Sequence, residues 1–192
     1  LDQQLERPAL GLEIAALVEL KHLGILAYLV LSCETLGDAL MRYHDYHRLV
    51  YDGTPLHINI QNGLLSIGWD DFPFNMTTQI TDEVAIALMM EFLKTILDLQ
   101  DIHLHEVHFI HPTPKNVMVY EQYFRCKVHF NQSRAQVLLS VSELSRPLRQ
   151  SDRTLQQLLR QQAEALLNQL PNSTLVDQRI QHAILTGLQK NM

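Results

Sequence analysis

Residues 56–69 read LHINIQNGLLSIGW, and no other stretch constrains the fold as tightly. Leu56, Ile58 and Ile60 alternate with His57, Asn59 and Gln61, and beyond Asn62-Gly63 the residues Leu65, Ile67 and Trp69 alternate again. A period of two belongs to a strand with one apolar face. The two-residue type I′ turn needs positive φ at both central positions, which Asn-Gly supplies at low cost. The stretch predicts a β-hairpin, and a hairpin with an apolar face needs a covering layer.

Helical periods supply that layer. Thr35, three residues ahead of Asp38, reads as a capping box, and Leu36, Ala39, Leu40, Tyr43, Tyr46, His47 and Val50 recur at helical spacing, which predicts a helix over 35–51. Residues 11–31 are too densely apolar for one exposed amphipathic helix, and Gly24 divides them into one buried helix or two. Thr81 with Asp82 and Glu83 opens a mostly buried helix, TDEVAIALMMEFLKTILDLQ. Extended segments are expected at 106–111, 126–132 and 135–141, with a short helix in PTPKNVMVYEQYF between the first two. Leu155, Leu159, Ala163, Leu166 and Leu170 then form a stripe that Pro171 ends, and Thr174 and Asp177 cap a last helix striped by Val176, Ile180, Ala183, Ile184 and Leu188. The order predicts an α+β fold, an antiparallel sheet packed with helices and closed by a C-terminal helical hairpin.

The 192 residues, 46% hydrophobic and 19% charged, suit one globular domain. A net charge of −6 with scattered Lys and Arg argues against a domain that itself grips phosphate backbones. Cys33 and Cys126 have no CxxC spacing and fit a reducing compartment. The apolar run at 23–31 falls short of the roughly 20 residues a membrane span needs. A cytoplasmic protein with no membrane partner is expected.

Four of the ten histidines, His103, His105, His108 and His111, fall in DIHLHEVHFIHP. His103 and His105 would share a strand face, but a closed zinc site needs further ligands, and no second H-x-H or C-x-x-C provides them. The favoured reading is one strand of a sheet. The alternative is a metal-binding enzyme or metal sensor on His103, His105 and His111. Asp70-Asp71 beside Pro73 reads as a solvated turn, and there is neither a G-x-S-x-G elbow nor a glycine-rich phosphate loop. No catalytic activity and no cofactor are expected. Tyr43, Tyr46 and His47 share a helix face that meets the sheet, and their apolar bodies with polar tips suit a small-molecule pocket. The leucine stripes of the last third could close on the domain or on a second copy.

Taken in order, several segments resemble a known family. They are HLGILAYLVLSCETLGDAL (22–40) with YHRLV (46–50), VHFIHPTP (107–114), YEQYFRCKVHF (120–130) and SELSRPLRQSDRTLQQLLRQQAEALLNQLP (142–171). Within them stand His111-Pro112, Tyr120, Phe124, Val128-x-Phe130, and Leu144, Pro147 and Leu148 ahead of a helix opening at Asp152. The chain resembles the N-terminal arabinose-binding-type domain of AraC/XylS-family bacterial transcription regulators, in the branch associated with ornithine and arginine utilisation. The resemblance implies a small organic effector, a homodimer, and DNA contact only through helix-turn-helix units expected beyond Met192. It also implies an effector-binding domain over 1–170 and a dimerisation or linker helix over 171–192. The residues expected to line the effector pocket are Tyr43, Tyr46, His47, Trp69 and Phe109. Those expected at the dimer interface are Leu155, Leu159, Leu166, Ile180 and Ile184.

Overall fold

Asn62 and Gly63 adopt φ values of 53° and 77°, and the hairpin closes around them between β1 (His57–Gln61) and β2 (Leu64–Trp69). Gln61 pairs with Leu64 and His57 with Gly68, so the register follows directly from the turn. The computed structural model describes residues 9–50, 56–69, 78–97 and 103–170. Three further strands, β3 (Leu104–His108), β4 (Lys127–His129) and β5 (Ala135–Ser140), complete a five-stranded sheet in the order β1-β2-β5-β3-β4.

Every neighbouring pair is antiparallel except β3 and β4, which run parallel. The purely antiparallel sheet expected from sequence therefore gains one parallel edge. The cause lies in the connection: α5 (Val117–Phe124) carries the chain back before β4 begins, and a parallel return needs such a crossover. At Gly68, opposite Gln136, a Cβ would lie 2.2 Å from the Ala135 carbonyl oxygen, so only glycine fits. Leu104 pairs with Leu139 and Glu106 with Leu138, which leaves His105 as the extra residue of a bulge.

The sheet has two unlike faces. Leu65, Ile67, Leu104, Val107, Val128, Ala135, Val137 and Leu139 are buried beneath helices. Ser66, Glu106, His108, Lys127, His129 and Gln136 point the other way and are partly or fully exposed. This is the ordinary partition of a sheet covered on one side. At the edge the cover thins, and Ile58 and Ile60 of β1 stay 39% and 57% exposed.

The covering layer departs from expectation mainly at its ends. Residues 11–31 form α1 (Leu10–Ala15), a 3-10 turn (Leu20–Leu23) and α2 (Ile25–Leu31), with Gly24 at φ 58° between the last two. Helix α3 (Leu36–Tyr46) starts where predicted, its cap Thr35 accepting from the Asp38 amide at 3.1 Å, and continues as a 3-10 turn over His47–Leu49. Helix α4 (Gln79–Ile96) begins two residues before the expected Thr81. Its cap is Thr78, whose hydroxyl accepts from the Thr81 amide while the Thr81 hydroxyl accepts from the Thr78 amide. Helix α6 (Arg153–Leu167) is capped by Asp152. The second helix of the expected closing hairpin lies outside the described residues.

Helix α4 carries the polar centre of the core. Glu83 is 0% exposed, and its carboxylate accepts from the Tyr120 hydroxyl of α5 at 2.5 Å, from Gln79 Nε2 at 2.8 Å and from the Gly11 amide of α1 at 3.0 Å. His111 Nε2 lies 3.7 Å away. A buried carboxyl is tolerated only when its oxygens are satisfied, and donors from three helices meet that need. Burial, reinforced by the bond to Glu83 and its charge, pushes the Tyr120 phenol well above its ordinary range, so Tyr120 remains a donor. Contact here is close. A Cβ at Gly11 would sit 2.3 Å from the Glu83 Cβ.

Tyr120→Phe should lower unfolding free energy by about 1–3 kcal/mol, read by urea denaturation, because it removes one buried donor while keeping the ring. Gly11→Ala should cost about 1–3 kcal/mol by the same measurement, because α1 must retreat from α4.

Candidate effector cavity

Helix α4 is apolar around most of its circumference, and its two faces do different things. Glu83, Ile86, Ala87 and Met90 are buried in the core. Ile80, Val84, Ala85, Leu88, Met89 and Phe92 instead border a cavity of about 530 Å³ between α4, α3 and the covered face of the sheet. From α3 come Leu36, Ala39, Leu40 and Tyr43; the sheet contributes Ile67, Trp69, Ala135 and Leu139, and Ile110 closes one side. The volume falls in the range of ordinary small-molecule sites. Among the described residues the polar side chains on the wall are few, namely Tyr43, Thr81, Asp82 and the indole of Trp69. Burial raises the Tyr43 phenol above its usual value, so it stays protonated at neutral pH. The Thr81 hydroxyl is already engaged with Thr78.

The structure brings two of the five expected pocket residues together. Tyr43 and Trp69 both line the cavity, from α3 and β2. Tyr46, one turn beyond Tyr43, turns away and donates its hydroxyl to Glu164 of α6 at 3.2 Å. His47 sits in the 3-10 turn, with Nδ1 2.8 Å from the His44 carbonyl oxygen. Phe109 is wholly buried elsewhere in the core. It stacks on Phe130 with ring centres 5.7 Å apart and meets Tyr120 edge-on at 5.9 Å. Its neighbour Ile110 reaches the cavity instead. The wall of α4 was missed, although apolar side chains on more than one face of a single helix are a sign of two buried contacts.

The histidines scatter. His103 and His105 are exposed, His105 in the bulge, while His111 is buried beside Glu83 with Nδ1 3.1 Å from the Pro112 carbonyl oxygen. His103, His105 and His111 form no common ligand set: six positions separate His105 from His111, roughly 20 Å along an extended strand, and His111 turns into the core while the other two face solvent. Both cysteines are free, and burial pushes both thiols upward, Cys126 to about 11 with help from the Glu106 and Glu121 charges. A thiol held protonated is a poor nucleophile.

Helix α6 packs along α2 and α3. Ala163 is fully buried, Leu159 and Leu167 lean on the core, and Gln156 donates to Cys33 Sγ at 3.0 Å. Arg153 pairs with Glu34 ahead of α3. Of the expected dimer residues, Leu155 faces outward at 43% exposure, Leu159 faces the domain, and Leu166 is half-buried. The outward partner of Leu155 is Leu158, 61% exposed. Ile180 and Ile184 lie outside the described residues. Among the described residues no helix is long and apolar enough to cross a membrane.

Residues 2–148 match the family model for the arabinose-binding domain of AraC transcription regulators, N-terminal. The chain is similar to the ornithine utilization regulator of Pseudomonas aeruginosa, with 26% identity over 163 residues, 83% of this chain and 47% of that protein. Its fold is similar to the crystal structure of the transcriptional regulator CdpR from Pseudomonas aeruginosa, with a TM-score of 0.67 and 18% identity, covering 80% of this chain and 50% of the other. The chain thus spans about half the length of each of these regulators. With its α+β fold and a match over residues 2–148, this chain belongs to the family of N-terminal arabinose-binding domains of AraC transcription regulators.

Proposed function

We propose that the domain senses a small, mostly apolar effector in the cavity between α3, α4 and the sheet. The observation that carries this reading is the cavity itself: about 530 Å³ of space walled by Leu, Ile, Val, Met, Phe and Trp side chains. A close-packed core does not leave such a space without cost. Tyr43 can hydrogen-bond one polar group of the ligand. A zwitterionic amino acid fits this lining poorly, since a ligand carboxylate would lose water among aliphatic side chains with no cationic partner among the described residues of the wall. The effector class proposed is therefore an apolar alcohol or amide.

In this reading the domain is a non-catalytic, cytoplasmic module. Effector binding shifts its population between conformations, and DNA contact belongs to the part of such regulators that this chain does not span. The domain acts as a homodimer. Leu155 and Leu158 give α6 an apolar outer edge while Leu159 and Ala163 bind it to its own domain. Residues 171–192, with Ile180 and Ile184, continue the interface and form the linker.

A thermal-shift screen should show stabilisation by apolar alcohols or amides and none by ornithine or arginine. Ligand at a hundred times its Kd adds about 2.7 kcal/mol of stability. Ala85→Trp, which fills the cavity, should abolish the shift while the protein stays folded. A shift that survives Ala85→Trp, or one confined to free amino acids, contradicts the reading. Leu158→Glu should convert the dimer to monomer in light scattering with little change in melting temperature, and an unchanged mass would refute α6 as the interface.

A further inference from the structure

The uncovered face of the sheet carries a second constellation, made of residues that are distant in the chain and adjacent in register. Glu106 and His108 alternate on β3, and the parallel pairing sets His129 of β4 beside His108. His108 Nε2 lies 2.9 Å from Glu106 Oε1, and His129 Nε2 lies 3.2 Å from Glu106 Oε2. One ligand atom from each of the three falls within 4.8 Å of the other two, and the imidazoles meet edge to face at 5.4 Å.

We propose that Glu106, His108 and His129 form a divalent transition-metal site, suited first to zinc, on the face of the sheet opposite the effector cavity. Two imidazoles and one carboxylate are a common protein zinc ligand set, with solvent left to fill the fourth position. Zinc bonded at about 2.0–2.2 Å keeps tetrahedral ligand atoms roughly 3.3 Å apart, close to the two histidine–carboxylate distances here. The carboxylate already lies between the two rings. The side chains of Glu106, His108 and His129 are 26%, 16% and 48% exposed, so an ion can enter from solvent while the strands hold the ligands in place.

A positioning residue stands behind the first histidine. Gln136, paired with His108 across β3 and β5, places its amide 3.0 Å from His108 Nδ1. Turned so that its oxygen accepts from Nδ1–H, the amide fixes the tautomer that leaves Nε2 free for a metal. Without metal, the same side chains simply form a carboxylate bridging two imidazoles. Zinc binding would displace any protons they hold, so acid opposes it.

The test is calorimetric titration of the tag-free protein with zinc chloride at neutral pH, supported by the visible spectrum of the cobalt-substituted form. The expected result is one saturable site, a tetrahedral or five-coordinate cobalt spectrum, and loss of both in His129→Ala, which removes an exposed ring and leaves the core untouched. Gln136→Ala should weaken zinc about 10–100-fold without removing the site. His105→Ala, outside the cluster, should leave binding unchanged. Absence of saturable binding, or binding that persists in both His108→Ala and His129→Ala, would overturn the site. Ala85→Trp blocks the cavity on the other face and should leave zinc binding intact, so failure of the effector reading and failure of this one are separable.

Discussion

A carboxylate placed in an apolar interior is unstable unless each oxygen finds a donor, and Glu83 makes that requirement organise the domain. Its donors come from three helices, α1, α4 and α5. The same close approach excludes a side chain at Gly11. Helix α5 in turn holds Phe124 and Tyr120 against Phe109 and Phe130, so the aromatic end of the core takes its position from the same carboxylate. Apolar packing alone has no directional preference. The buried hydrogen bonds select one arrangement among several that would bury comparable area.

The sheet separates two chemical environments. Odd positions of β5, Ala135, Val137 and Leu139, enter the core, and the first and last of them reach the cavity wall. The even position Gln136 reaches the opposite surface and the Glu106–His108–His129 cluster. One six-residue strand therefore contributes to both faces. Such economy follows from the two-residue period of a strand and needs no special fold.

How far the chain could be read depended on the range of the interaction. The Asn62-Gly63 turn, the Thr35 cap and the Asp152 cap involve residues within a few positions of each other, and all three were legible. The fold class and the family followed from the order of such local signals. The Thr78 cap was harder, because Thr81 looks equally suitable and the two hydroxyls in fact act together. The parallel pairing of β3 with β4 depends on which way α5 returns, which no local pattern records. His108 and His129 come together through that same pairing, so spacing within one segment could not show their grouping. In the cavity, Tyr43 and Trp69 were legible as amphipathic aromatics. Phe109 and Ile110 differ by one position, and only the actual end of β3, at His108, decides which of them faces the space.

Helix α3 holds Tyr43 against the cavity and, one turn later, Tyr46 against Glu164 of α6. A helix is stiff over so short a distance, so the two contacts move as one body. Helix α6 has fifteen residues, a rod of roughly 22 Å at 1.5 Å per residue, and Tyr46 holds it at Glu164, within one turn of its end. The direction in which the polypeptide leaves the domain is thus tied, through a single rigid lever, to the width of the cavity on the lever's other side.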